Sequence, residues 1–252
     1  MAKYDFTATR LFVDAPLSGG AEVVLATEQA NYVCNVMRLR EGDGVLVFNG
    51  RDGEWRADLT EAGRKRARLT AMEQIRPQTP PGDLWYLFAP LKHARLDYMV
   101  QKAVEMGASR LMPVITRRTQ ASRVNTERMT ANVIEAAEQC GVLSVAEVAE
   151  PQPLAKLLDA WPKDRTLVFC DEDAEEGDAV AVLAPLRGKP LALVIGPEGG
   201  FDEDERRRLS RMDGVIRLSL GPRILRADTA AVAALTLLQA VCGDWVSRKT
   251  SP

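Results

Sequence analysis

Leu191-Ala-Leu-Val-Ile-Gly-Pro-Glu-Gly-Gly-Phe201 is the stretch on which the fold turns. Five apolar residues read as a buried strand. They break into Gly196-Pro-Glu-Gly-Gly200, and a charged helix opens at Asp202. Glycines at the carboxyl end of a strand let backbone amides approach a ligand closely, which is where parallel sheets hold small molecules. Yet this loop lies about four-fifths of the way along the 252-residue chain. A nucleotide fold that opens on its glycine loop would lack the chain to finish its sheet. The ligand loop here closes a fold instead of beginning one.

Around it, strands and helices alternate, the signature of a parallel α/β sheet. Leu84–Ala89, Leu111–Ile115, Thr166–Cys170 and Val215–Ser219 read as further strands. Leu96, Met99, Val100, Ala103 and Val104 recur at helical spacing, and a helix near Glu127–Gln139 ends at Gly141. Asp202 and Glu205 have the spacing of a capping box. The last helix, from about Thr229 to Val241, is apolar on nearly every face, so it is buried in a core or against another subunit.

Residues 1–75 read differently. Arg10–Asp14 and Glu22–Ala26 are strand-like, and Thr27 looks like the N-cap of a short helix through Val36. Gly44–Phe48 and Glu54–Leu59 form a hairpin around Asn49–Gly53, and Arg66–Met72 adds a strand. Short strands at close spacing suggest a small barrel. The proline-rich run Arg76–Gly82 marks the boundary, with the second domain over 83–246.

Net charge is −2, but the balance is uneven. Residues 81–135 carry 8 basic and 5 acidic side chains, whereas 136–190 carry 5 and 11, mostly in the run Asp171–Asp178. Basic clusters at Arg64–Arg68 and from Arg110 to Arg128 are of the kind that contact phosphates, although most such runs are simply solvated. No segment approaches the roughly 20 apolar residues of a membrane span. The opening residues lack a signal-peptide core, so a cytoplasmic protein is expected. Cys34, Cys140, Cys170 and Cys242 are scattered, which reads as free buried thiols with no metal site.

A second loop, Ser219-Leu-Gly-Pro-Arg-Ile-Leu-Arg-Ala-Asp-Thr229, follows the next strand and falls on the same rim of the sheet. The standard phosphate motifs are missing. No Gly-Lys-Ser/Thr follows Gly196, and there is no Gly-x-Gly-x-x-Gly. His93 is the only histidine and sits beside Lys92, where a solvated or capping role fits better than general-base work.

Gly196-Pro-Glu-Gly-Gly-Phe201, Leu218–Ala230, Gln101-Lys-Ala-Val-Glu-Met-Gly107 and Ala131–Gly141 together resemble the RsmE family of ribosomal RNA methyltransferases in the SPOUT superfamily. The resemblance runs the length of the chain. It implies an α/β protein with a C-terminal SPOUT domain containing a deep trefoil knot and an N-terminal PUA-like β-barrel that binds RNA. It also implies a homodimer, S-adenosylmethionine as methyl donor, and methylation of uridine N3 in small-subunit ribosomal RNA, free or in the assembled small subunit. The family's Thr-Glu-Thr after Leu-Arg is here Ala227-Asp228-Thr229, which keeps a carboxylate one methylene shorter.

On this resemblance the donor is held by Ile195, Gly196, Pro197, Glu198, Gly199, Gly200, Leu218, Leu220, Gly221, Ile224 and Leu225. Arg223 and Arg226 follow the second loop and can stabilise negative charge growing on the uracil oxygens. Asp228 either accepts a proton or caps the final helix. Arg38, Arg40, Arg64, Lys65 and Arg66 are the candidates for gripping RNA. The competing expectations are a non-catalytic RNA-binding or ribosome-assembly factor, and a SPOUT methyltransferase acting at another RNA position.

Overall fold

The structure, a computed structural model, describes residues 8–63, 66–92, 94–121, 123–175 and 177–245. His93 lies outside the described residues. The chain divides into two compact units: Met1–Pro80 with Ala137–Val145, and Pro81–Ala136 with Ala146–Pro252.

The first unit contains β1 (Arg10–Phe12), β2 (Glu22–Val24), α1 (Thr27–Asn31), a π-turn at Tyr32–Val36, β3 (Gly44–Phe48), β4 (Glu54–Glu61) and β5 (Arg68–Arg76). The sheet order is β1-β3-β4-β5-β2; β1 and β3 are parallel, the other pairs antiparallel. Alternate residues turn inward: Val45 and Val47, Ala57 and Leu59, Leu69 and Ala71 share one core. The edge strands feed the same core through Leu11 and Val23. No ladder joins β1 to β2 among the described residues, so the expected barrel is a five-stranded sheet wrapped on its core without a hydrogen-bonded seam.

Thr27 is the first helical residue and not the cap. Ala26 occupies the N-cap, and its N–H donates to Gln29 Oε1 at 3.3 Å. In the β3–β4 loop, Gly50 and Gly53 have φ of 83° and 79°. A Cβ on Gly53 would also lie 2.4 Å from the Arg76 carbonyl oxygen, so only glycine fits there. Asp52 in that loop accepts the Leu17 N–H at 2.9 Å and Asn49 Nδ2 at 2.6 Å, and these bonds hold its carboxyl below the ordinary range.

Glu54, buried, accepts Arg10 Nε at 3.0 Å and Arg76 Nε at 2.7 Å. Arg76 Nη2 also donates to the Gly141 carbonyl at 3.0 Å, and the Phe12 N–H donates to Glu138 Oε1 at 2.8 Å. These bonds tie residues 137–145 to the first unit, although a contiguous division of the sequence places them with the later strands.

The second unit runs β6 (Leu84–Phe88), α2 (Ala94–Glu105), β7 (Arg110–Ile115), α3 (Thr126–Cys140, whose residues from Ala137 on count with the first unit), β8 (Glu147–Val148), β9 (Gln152–Pro153), α4 (Leu154–Asp159), β10 (Thr166–Cys170), α5 (Ala179–Leu183), β11 (Leu191–Ile195), α6 (Glu203–Arg211), β12 (Val215–Leu218) and α7 (Ala227–Val241). The sheet is wholly parallel, in the order β12-β10-β11-β6-β7-β8, with β9 also pairing β7. Leu87, Leu167, Phe169 and Val194 form one apolar cluster with Leu154 and Leu157 of α4 and Leu209 of α6. On the other face, Tyr86 donates to Met99 Sδ of α2 at 2.9 Å, and α7 packs on α2, α5 and β11. Helices therefore cover both faces, which explains why β11 is apolar throughout.

The amino end of this sheet is locked by Trp85. The Arg165 guanidinium lies 3.8 Å from its ring centroid and that of Arg110 lies 4.8 Å away. Arg165 also donates to Asp83 Oδ1 at 2.7 Å and to the Leu191 carbonyl at 2.9 Å. The chemistry is left to the other end. None of the four cysteines is in a disulfide, but they are not buried as the sequence suggested: Cys140 is exposed and the others are half-buried.

Candidate ligand pocket at the strand ends

Three neighbouring strands, β11, β10 and β12, end together, and a cavity of about 370 Å³ opens at their carboxyl ends. Glycine builds one wall. A Cβ on Gly196 would sit 2.7 Å from the Phe201 ring, itself packed edge-on against Phe169 with centroids 5.3 Å apart. Gly200 has φ of 68°, and a Cβ there would come 2.9 Å from Glu172 Oε1. The loop closes on itself through the Gly200 N–H to the Pro197 carbonyl at 2.9 Å. It then passes into α6, where Asp202 caps the Glu205 N–H at 2.9 Å and Glu205 returns the bond at 3.2 Å. The capping box read from the sequence is present. That bond from the Glu205 amide, then the Arg117 charge, holds the Asp202 carboxyl below its ordinary range.

A loop from β7 braces the outside of the glycine turn. Arg118 Nη1 donates to the Gly199 carbonyl at 2.8 Å, and Arg117 pairs with Asp202 and Asp204. Gly199 thus faces Arg118 and does not line the cavity. Every other residue assigned to the donor does: Ile195, Gly196, Pro197, Glu198, Gly200, Leu218, Leu220, Gly221, Ile224 and Leu225.

The second loop supplies the opposite wall. Gly221 has φ of 93°, and Ile224 is 90% exposed, an unusual state for a large apolar side chain outside a binding surface. Arg223 and Arg226 also line the cavity, and neither guanidinium has a hydrogen-bond or ion-pair partner among the described residues. Asp228 does not line it. It is not the helix cap either: Arg226 holds the N-cap position, and Asp228 lies one residue inside α7, where Oδ1 accepts the Thr229 N–H at 2.9 Å.

The end of β10 contributes a part the sequence reading missed. Phe169, Cys170, Asp171 and Glu172 line the cavity, with Arg206 from α6. Burial pushes the Cys170 thiol up to about 12, aided by the Asp171 charge, so it is a neutral wall and not a nucleophile. The signal is Phe-Cys-Asp at a strand end, which the acidic run Asp171–Asp178 obscures. In the first unit, Arg38 and Arg40 are exposed, and Arg38 is the one described non-glycine residue with positive φ, 57°. Arg66 Nε lies 3.8 Å from Glu61. Arg64 and Lys65 lie outside the described residues.

A parallel sheet covered on both faces, with its late loops facing one pocket, is the frame of a ligand-binding α/β domain, and the family matches make that domain one of the RNA methyltransferase class. Residues 78–239 match the family model described as an RNA methyltransferase domain, and residues 25–71 match the RNA methyltransferase PUA domain. The chain belongs to the ribosomal RNA small subunit methyltransferase E family. It is 31% identical to the Rickettsia conorii member over 90% of this chain and 93% of that protein. It is 30% identical to the Bacillus subtilis member over 84% and 87%. Among solved structures, the Neisseria gonorrhoeae member bound to S-adenosyl methionine superposes with a TM-score of 0.84 at 26% identity, covering 95% of this chain and all of that one. A putative methyltransferase from Legionella pneumophila with bound cofactor SAM gives 0.80 at 28% identity, over 92% and 97%.

Proposed function

We propose that this chain transfers a methyl group from S-adenosylmethionine to N3 of a uridine in small-subunit ribosomal RNA. The observation that carries the reading is the strand-end pocket itself. Its volume of about 370 Å³ suits a ligand of nucleoside size. Its glycine wall leaves no room for a Cβ at Gly196, and its other wall presents Leu218, Leu220, Ile224 and Leu225. These residues fit the donor: apolar side chains for the adenine faces, and backbone groups of the two loops for its edges. Glu172 and Glu198 offer carboxylates to the donor's cationic end.

When bound, the donor supplies a methyl group already activated on a sulfonium, so the protein's work is alignment and exclusion of water. Uridine N3 lies on the pairing edge, so the base must be unpaired or extruded before it can enter. The proton on N3 must leave before or during attack, which builds negative charge on the uracil oxygens. Arg223 and Arg226, unpartnered on the cavity wall, are placed to meet that charge. Asp228 remains a candidate proton acceptor, working from the first turn of α7.

The same reading includes a trefoil knot, a homodimer and a cytoplasmic site of action. The knot is supported by sheet order: β11, late in the chain, enters between β6 and β10, which precede it. The dimer is supported by α7, whose Val232, Ala233 and Leu237 stay only half-buried opposite the buried face of Ala231, Ala234 and Leu238. The first unit grips RNA through Arg38, Arg40 and the Arg64–Arg66 cluster.

The test is mass mapping of methylated nucleosides in small-subunit ribosomal RNA from cells with and without the chain, paired with calorimetry of S-adenosylmethionine. Loss of one 3-methyluridine is expected. Donor binding with no change in the nucleoside map would point to another RNA position, and no donor binding would point to a non-catalytic factor.

A further inference from the structure

We infer that a second cavity on the same rim holds a phosphate group of the RNA strand. The inference rests on the reading of the chain as an RNA methyltransferase and extends it to how the strand is held. The cavity, about 210 Å³, lies where β6 and β7 lead into α2 and α3. Its charged lining is three cations, Lys92, Arg123 and Arg128, against one carboxylate, Asp97, with the amides of Gln120 and Asn125 beside them. Lys92, Gln120 and Arg123 line it, and none of their side chains has a hydrogen-bond or ion-pair partner among the described residues.

Its one acidic residue is already neutralised. Asp97 accepts Arg128 Nε at 2.9 Å and Nη2 at 2.6 Å, with Asn132 Nδ2 at 2.8 Å. Lys92 and Arg123 therefore leave two positive charges uncompensated beside a neutral pair. That balance suits an anion and opposes a cation or a wholly apolar ligand. The amino ends of α2 and α3, 12 and 15 residues long, follow directly on the lining segments and add to the positive potential.

Position favours the RNA strand over a free anion. One loop braces the first cavity and lines the second: after the Thr116–Thr119 turn, closed by Thr116 N–H to Thr119 Oγ1 at 2.9 Å, Gln120, Ala121, Arg123 and Asn125 line the second cavity. Within that turn Arg118 holds the Gly199 carbonyl on the outer side of the glycine turn that bounds the first pocket. β6, which leads into the second cavity, also pairs directly with β11. A strand whose base enters the first pocket runs its backbone along this rim.

The experiment uses the full chain and its Lys92→Gln, Arg123→Gln double variant, binding a short single-stranded RNA across a salt series. Both side chains are exposed and have no partner among the described residues, so the variant should fold. Loss of one phosphate contact makes the slope of log K against log salt shallower by about 0.7 and weakens binding at low salt by about tenfold. S-adenosylmethionine affinity should stay within about twofold. An unchanged salt slope overturns the inference. So does loss of inorganic phosphate binding with RNA binding intact, which would assign the cavity to a free anion. A native chain that binds neither RNA nor S-adenosylmethionine defeats the functional reading, and this inference with it.

Discussion

The carboxylate of Asp171, 3% exposed, accepts Arg217 Nε at 2.8 Å, with Nη2 2.7 Å from the same oxygen. This pair bridges the end of β10 to β12, and the Asp171 N–H donates to the Leu218 carbonyl at 3.1 Å across the same seam. Arg206 Nε stands 3.5 Å from the other carboxylate oxygen, so one buried anion faces two cations. The pair sets the spacing of two of the three strand ends that form the pocket floor. Asp171→Ala removes the buried anion between the two arginines, while Arg206 keeps Glu172 and Asp173 and Arg217 keeps the Asp173 carbonyl. Because Arg217 is partly solvated, the loss should be about 2–3 kcal/mol, less than for a fully buried pair. Urea denaturation measures it, and a change below about 0.5 kcal/mol would show the pair to be incidental.

Arg223 and Arg226 behave in the opposite way. Neither side chain has a partner among the described residues, so removing either should leave stability within about 0.5 kcal/mol of the native chain. If Arg226 meets charge that exists only in the transition state, Arg226→Ala lowers single-turnover methylation by about 10²–10³. S-adenosylmethionine affinity should be nearly unchanged. Near-normal turnover at saturating RNA would remove Arg226 from the chemistry and leave Arg223 to be tested in its place.

The glycine wall gives a steric prediction with two sizes of effect. At Gly196 an added methyl meets the Phe201 ring, which Phe169 keeps from swinging away. Gly196→Ala should cost about 1–3 kcal/mol of stability through overpacking and also distort the wall that receives the donor. At Gly200 the nearest atom is the end of a flexible Glu172 side chain, which can move, and the cost is chiefly the positive φ, about 1 kcal/mol. Calorimetry of the donor with the two variants should therefore rank Gly196→Ala as the more damaging. The reverse order would mean that Glu172 is fixed by its contacts with Arg206.

Both late loops were legible because their signals are local: an apolar run, a glycine turn and a capped helix, as at Leu191–Glu205. The third wall was not. Nothing near Cys170 in the sequence says that β10 lies between β11 and β12, since that adjacency is set by segments tens of residues apart. Asp171 opens the acidic run Asp171–Asp178, yet it is buried. Strands β8 and β9, two residues each, and helix α4, six residues, are too short for periodicity to show. Asp228 misled by residue type: a carboxylate at a helix start suggests the cap, but the backbone turns at Arg226.

In the first unit, Glu54 ties β4 to both β1 and β5 through Arg10 and Arg76. Arg10 is itself buried, so Glu54→Ala removes the carboxylate that balances a cation largely shut off from water. The expected loss is about 3–5 kcal/mol, enough to unfold this unit before the other in a thermal scan. Glu54→Gln, which keeps the acceptor oxygen and the volume, should recover part of it. Equal loss in both variants would assign the effect to charge alone.

Thiol chemistry separates Cys170 from Cys140. Cys140 is exposed, whereas burial and the neighbouring Asp171 charge hold the Cys170 thiol protonated up to about 12. Alkylation needs the thiolate, so iodoacetamide at pH 8 should modify Cys140 rapidly and leave Cys170 intact. The sign for folding follows from the same shift. An unfolded Cys170 ionises near 9 and the folded one near 12, so between those values the unfolded chain has released a proton that the folded chain keeps. Stability should fall with rising pH across that window. Cys170→Ser should flatten the fall, because serine does not ionise there. An unaltered pH profile, or Cys170 reacting as fast as Cys140, would show that the strand-end wall opens to solvent far more than the folded geometry allows.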